Sequence, residues 1–273
     1  MKKVLFTLLL LIGLAQVAKP QNDLLKHENL TFDSELELKI WKSGNEDPFQ
    51  LFRAVQADQS GPDNAWTSLV EELDSKAFKK GDELNLLRMI FQKTHQKLLK
   101  KYELHSTFNA MLSEGKFDCV SGSAALGLLL ERYGYSFDIV ETDFHVFIVV
   151  NMEGKKVVLE STLPIGGMIT SPSEVQAYLD AYKADESSKL KVLNQGLAGQ
   201  PIDYSDNSIF RIVNLKQLAG LQYYNDAIVH FNAQAFGQAV DQLSKAYLLY
   251  PSDRILGLRE LSIDLAYKLS ATN

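Results

Sequence analysis

Three observations predict an α+β fold in which a helix carrying a cysteine packs on an antiparallel sheet and a helical hairpin follows. A run of small and then large apolar residues reads as a helix opening at Cys119. Three strands, with a turn signal at Met152-Glu153-Gly154-Lys155 before the last, lie between Phe137 and Glu160. From Leu218 to the end the pattern is helical, with one break at Pro251. With 273 residues, 46% of them hydrophobic, the chain can bury a sizeable core in one or two domains.

The first residues have the organisation of an export signal, with Lys2 and Lys3, an apolar run from Val4 to Leu14, and small residues for cleavage after Ala15 or Ala18. Loss of that segment takes the formal net charge from −6 to −8. An acidic chain is a poor match for nucleic acid or an anionic membrane surface. Beyond the signal no stretch is long and apolar enough to span a bilayer. The expectation is an exported protein, periplasmic or secreted, with no membrane segment in its mature form.

Residues 21–63 are the least legible. Phe32, Leu36, Leu38 and Ile40 fit neither a helix nor a strand well, and Gly44 to Ala57 reads as a connector with a short helix. Trp66, Leu69, Val70 and Leu73 then fall at helical spacing, with Asp63 or Asn64 as the cap. A second helix is expected from Asp82 to Tyr102, its Lys97, Lys100 and Lys101 suiting the negative end of the helix dipole. Gly115 to Asp118 reads as a turn, and Cys119 to Tyr133 as a helix stopped by Gly134. Strands follow at Phe137–Glu141, Phe144–Asn151 and Lys156–Glu160, then a loop through Gly166-Gly167 and a helix over Ser173–Ala184. Residues 185–208 are polar and read as surface loop.

Cys119 is the only cysteine, so it forms no disulfide within the chain. A thiol attacks a carbonyl as thiolate, and both a helix N-terminus and a neighbouring imidazole promote that form. His145 shares a strand face with Phe147 and Val149. If Met152 and Glu153 make the turn, position 145 pairs with 160; if Glu153 and Gly154 make it, 147 does. Either register keeps Glu160 on the face of His145, where a carboxylate can orient the imidazole. His105 is a rival base.

The run FDCVSGSAALGLLLERYGY, followed by FHVFIVV and KKVVLESTLPIGG, resembles the core of the transglutaminase-like superfamily, a branch of the papain-like cysteine-nucleophile fold. The likeness covers roughly residues 117–167. It implies Cys119 as nucleophile, His145 as base and Glu160 as acid. Two positions depart from the family's habit: the acid is usually Asp, and Phe147 stands where Trp is often close by. The implied activity is attack on an amide or ester carbonyl, by hydrolysis or acyl transfer, on a peptide or protein substrate. The backbone N–H of Cys119 would be one oxyanion donor, with the side chain of Asn109 or Tyr102 as the second. No cofactor is implied, and the spacing of histidines and the lone cysteine suggests no metal site.

The transglutaminase-like domain is expected over 21–210 and a hairpin over 215–273. Ala227, Ala239, Leu243, Ala246 and Pro251 resemble the small, large and proline positions of one tetratricopeptide repeat. That likeness implies a protein partner for the C-terminal helices. The rival to an enzyme is a catalytically silent scaffold that binds peptides.

Overall fold

The computed structural model describes residues 30–44, 47–77, 83–182 and 209–272. The segment expected to be an export signal and the polar stretch at 185–208 lie outside the described residues. The elements run α1 Glu35–Ser43, α2 Pro48–Ala54, a 3-10 turn Ala57–Gln59, α3 Asn64–Ala77, α4 Glu83–Lys97, β1 Lys101–Tyr102, α5 Phe108–Glu114, β2 Lys116–Phe117 and α6 Cys119–Arg132. The sheet strands follow as β3 Ser136–Thr142, β4 Val146–Met152, β5 Lys155–Leu159 and β6 Met168–Ile169. The chain continues through α7 Pro172–Tyr182, β7 Phe210–Val213, α8 Leu215–Asn232, α9 Phe236–Leu249 and α10 Asp253–Thr272. The architecture is α+β, as expected. None of the described helices is long and apolar enough to cross a membrane.

Helix α6 is the centre of the molecule. Every residue from Cys119 to Leu130 is buried, so the helix has no solvent face and no single apolar stripe. Its small first half allows close packing. A methyl group added at Gly122 would lie 2.8 Å from the Ser161 hydroxyl oxygen, and one at Gly127 would lie 2.9 Å from Leu215 Cδ2.

The sheet order is β6-β5-β4-β3-β7, with every neighbouring pair antiparallel. Glu153 and Gly154 form the β4–β5 turn, both with positive φ (44° and 79°) as a two-residue type I′ turn requires. Of the two registers the sequence allows, this is the one that brings Phe147 opposite Glu160. One face, carrying Val146, Ile148, Val150, Val157 and Leu159, joins the main core around α6. On the other, Val140, Phe147, Val149 and Val158 pack with Val175 of α7, flanked by Tyr178, Leu179 and Tyr182.

Several expectations shift. Helix α4 ends at Lys97 and does not reach Tyr102. The backbone N–H groups of Lys100 and Lys101 both reach the Gly115 carbonyl (2.9 and 3.0 Å), which turns the chain into β1, paired parallel with β2. Residues 116–117 are therefore a short strand where a turn was expected, and Phe144 belongs to the turn before β4. The ambiguous segment near Leu36 is helical, capped by the Ser34 hydroxyl, which accepts from the Glu37 N–H.

Helices α8 and α9 are joined by three residues and so lie antiparallel. A methyl at Gly220 would stand 2.8 Å from Tyr250 Cβ, a measure of how closely the chain passes there. The main core is continuous from Trp41 to Ile255 and includes Ala227, Ala239, Leu243 and Ala246 of this helical pair. Within it sits a buried ion pair: the Lys245 ammonium donates to Glu37 Oε1 at 2.7 Å, and the Tyr223 hydroxyl donates to the same oxygen at 3.0 Å. Lys245 also lies 5.5 and 5.3 Å from the ring centroids of Phe32 and Tyr223.

Removing one member of this pair leaves an uncompensated buried charge, a loss of about 3–5 kcal/mol. Lys245→Ala should show it as a lower urea midpoint, and Glu37→Leu with Lys245→Met should recover most of the loss. A Lys245→Ala midpoint equal to that of the wild type would exclude this role.

Candidate active site

Each side chain of the site is placed by a local device. Asp118 caps α6: its Oδ1 accepts from the Ser121 N–H at 2.8 Å, while the Ser121 hydroxyl accepts from the Asp118 N–H at 2.9 Å. This reciprocal box holds Cys119 at the first position of the helix. His145 closes the two-residue β3–β4 turn, where its carbonyl accepts from the Thr142 N–H (2.8 Å) and its own N–H donates to the Thr142 hydroxyl (3.1 Å). Glu160 follows β5 directly. Its N–H donates to the Gly167 carbonyl at 2.8 Å, and any side chain at 167 would collide with the carbonyls of Glu160 and Leu163.

The imidazole and the carboxylate meet as the strand parity required. His145 Nε2 lies 2.5 Å from Glu160 Oε2. The Tyr178 hydroxyl donates to that same oxygen, and Glu160 Oε1 accepts from the Thr162 N–H (2.9 Å) and hydroxyl (2.6 Å). Burial opposes ionisation of Glu160, but these donors outweigh it and bring its pKa down to about 2. An ionised carboxylate only accepts, so Nε2 carries the proton and Nδ1 is left with its basic lone pair. Tyr182 stacks on the ring, centroids 5.8 Å apart at 27°.

A cavity of about 260 Å³ brings Cys119 and His145 together with Tyr102, His105, Asp118 and Arg254. Cys119 is 9% exposed. Its thiol and the imidazole form no hydrogen bond in the described structure; instead the backbone N–H groups of Val146 and of Cys119 itself favour the thiolate. They are outweighed. Burial, then the adjacent Asp118 carboxylate, push the thiol up to about 12. The sequence suggested a lowered value at a helix start; the reversal comes first from burial and second from the cap, because Asp118 accepts the Ser121 N–H with a carboxyl group set beside the sulfur.

The other candidates separate by position. Tyr102 lines the cavity, and burial, then the acidic neighbours Cys119, Asp118 and Glu160, raise its hydroxyl to about 12, so it stays a donor at neutral pH. Asn109 does not line the cavity. Its amide donates to the carbonyls of Val55 (2.9 Å) and Arg53 (3.0 Å), pinning the chain after α2, which removes it as an oxyanion donor. His105 lines the cavity in a left-handed conformation (φ 60°), with Nδ1 buried and unpartnered. Of the two histidines there, only His145 is hydrogen-bonded to a carboxylate. Among the described residues no group of three His, Cys, Asp or Glu side chains is placed to hold a metal ion.

Sequence reasoning missed Tyr178, Tyr182, Asn225 and Arg254. Val175, Tyr178, Leu179 and Tyr182 form an ordinary helical stripe, and the stripe was the only available signal. Asn225 of α8 donates to Asp118 Oδ2 at 3.0 Å, and Arg254 of α10 pairs with the buried Glu141 and donates to the Asp143 carbonyl. Compared with protein-family models, curated proteins and solved structures, the chain shows no match.

Asparagine caps a helix as well as aspartate does, so Asp118→Asn removes the charge and keeps the cap. The Cys119 pKa should fall by at least about one unit, read as about a tenfold faster alkylation at pH 7. An unchanged rate would mean that burial alone holds the thiol neutral. The depressed pKa of Glu160 stabilises the fold above its ordinary 4.5 and is lost as pH falls toward 2. The stability gap between wild type and Glu160→Gln, measured by urea unfolding, should therefore narrow across that window.

Proposed function

We propose that the protein is an exported cysteine-nucleophile enzyme of the transglutaminase-like, papain-like kind, acting on an amide or ester carbonyl of a peptide or protein. The supporting observation is the His145–Glu160 contact at 2.5 Å, made beside a cavity that also holds the only thiol of the chain. As the sulfur of Cys119 attacks the carbonyl carbon, its proton passes to His145 Nδ1, and Glu160 stabilises the imidazolium through Nε2. Collapse breaks the carbonyl–nitrogen or carbonyl–oxygen bond, and His145 returns the proton to the leaving group. The acyl group on sulfur is then taken by water or by an amine, with His145 accepting the incoming proton. The Cys119 N–H and the Tyr102 hydroxyl are the nominated oxyanion donors. With the resting thiol neutral, His145 acts as general base during attack and holds no preformed ion pair with the sulfur.

That same neutral, nearly buried thiol favours a second reading, a silent scaffold that keeps the fold and binds peptides. Iodoacetamide separates the two. On the enzyme reading the wild type alkylates at pH 7 at least about tenfold faster than His145→Ala, with Glu160→Gln between them. Equal slow rates in all three proteins, rising only toward alkaline pH, would establish the scaffold.

A further inference from the structure

We infer that helix α8 builds a specificity pocket into the candidate active site, and that this pocket takes a bulky uncharged side chain of the acyl donor, of the leucine or phenylalanine class. The inference rests on the reading of Cys119 as a nucleophile. Helix α8 presents Leu221, Tyr224 and Ile228 to the cavity at positions i, i+3 and i+7, one face of a helix. The lining also includes Leu104, 69% exposed, and Phe144, 62% exposed at the tip of the β3–β4 turn. Two large apolar side chains this exposed on one cavity are suited to contact with an apolar group.

Size and charge define the occupant. A volume of about 260 Å³ lies just below the roughly 300–1,000 Å³ of pockets that enclose a whole small molecule. It suits one large side chain and its carbonyl. Of the Asp, His and Arg side chains on the wall, three are paired: Asp118 accepts from Ser121 and Asn225, Arg254 pairs with Glu141, and His145 with Glu160; the others are Asp143 and His105, the latter with its Nδ1 buried and unpartnered. An ionised substrate side chain would find no free counter-charge among these three and would lose its hydration.

The test uses N-acetyl-aminoacyl chloromethyl ketones carrying Ala, Leu, Phe, Asp or Arg, with inactivation rates measured on the full mature chain beside iodoacetamide. In this reaction the sulfur displaces chloride and the thiol proton leaves through His145. Leu and Phe probes should react at least about tenfold faster than Ala. Ile228→Asp should collapse that ratio, and Phe144→Ala, at an exposed turn, should reduce it if Ile228→Asp fails to fold. Equal rates for all five probes, still dependent on His145, would overturn the pocket and leave the nucleophile standing. A preference for Asp or Arg would overturn it as well. Probe rates independent of His145 would sink the catalytic reading and the pocket with it.

Discussion

The structure depends on one constraint: helix α6 is buried on every side from Cys119 to Leu130. A helix with no solvent face needs a wall in each direction, and the sheet supplies only one. The rest comes from α2, α4, α5 and α8, which is why segments far upstream and far downstream of α6 belong to one core. The same enclosure explains the cap. The first N–H groups of a buried helix have no water to turn to, so Asp118 and Ser121 satisfy them internally. Satisfying them with a carboxylate sets a negative charge against the sulfur it positions. Helix stability and thiol acidity therefore pull in opposite directions at adjacent residues.

The site divides its labour between the two faces of the sheet. The main-core face holds α6 and its thiol in place. The opposite face, with α7, holds the imidazole: Tyr182 stacks on the ring while Tyr178 shares the carboxylate oxygen that the ring contacts. Glu160 is ionised in spite of burial because its two oxygens receive four donors from three residues. Orientation of His145 is thus set by elements on both sides of β5, which fixes Nδ1 as the nitrogen left for proton transfer.

How much of this was legible in the sequence follows the range of the forces involved. The α+β class, the buried helix, the β4–β5 hairpin and the pairing of His145 with Glu160 all follow from local period and turn chemistry. Parity made the pairing insensitive to which two residues form the turn. The end of α4 was misread because Leu98 to Tyr102 keeps a helical composition while two of its backbone N–H groups are claimed by the Gly115 carbonyl. Helix α1 was ambiguous because its buried Glu37 reads as a surface residue until Lys245 is known to lie beneath it. Asn109 looked available because nothing nearby shows that its amide serves carbonyls more than 50 residues earlier.

The Glu37–Lys245 pair has a consequence for how this sequence can diverge. The two residues lie 208 positions apart, one on α1 and the other on α9, yet a change at either leaves the other a buried, unpaired charge. Substitution must pass through simultaneous or compensated steps, so related chains should vary at these positions together: as an ion pair, its reversal, or two apolar residues. Gln56 with Asp226, joined at 2.6 Å across 170 positions, falls under the same restriction. The opening helices and the α8–α9 pair therefore form one evolutionary unit, and a chain that lost or exchanged α8 and α9 would need a new front as well.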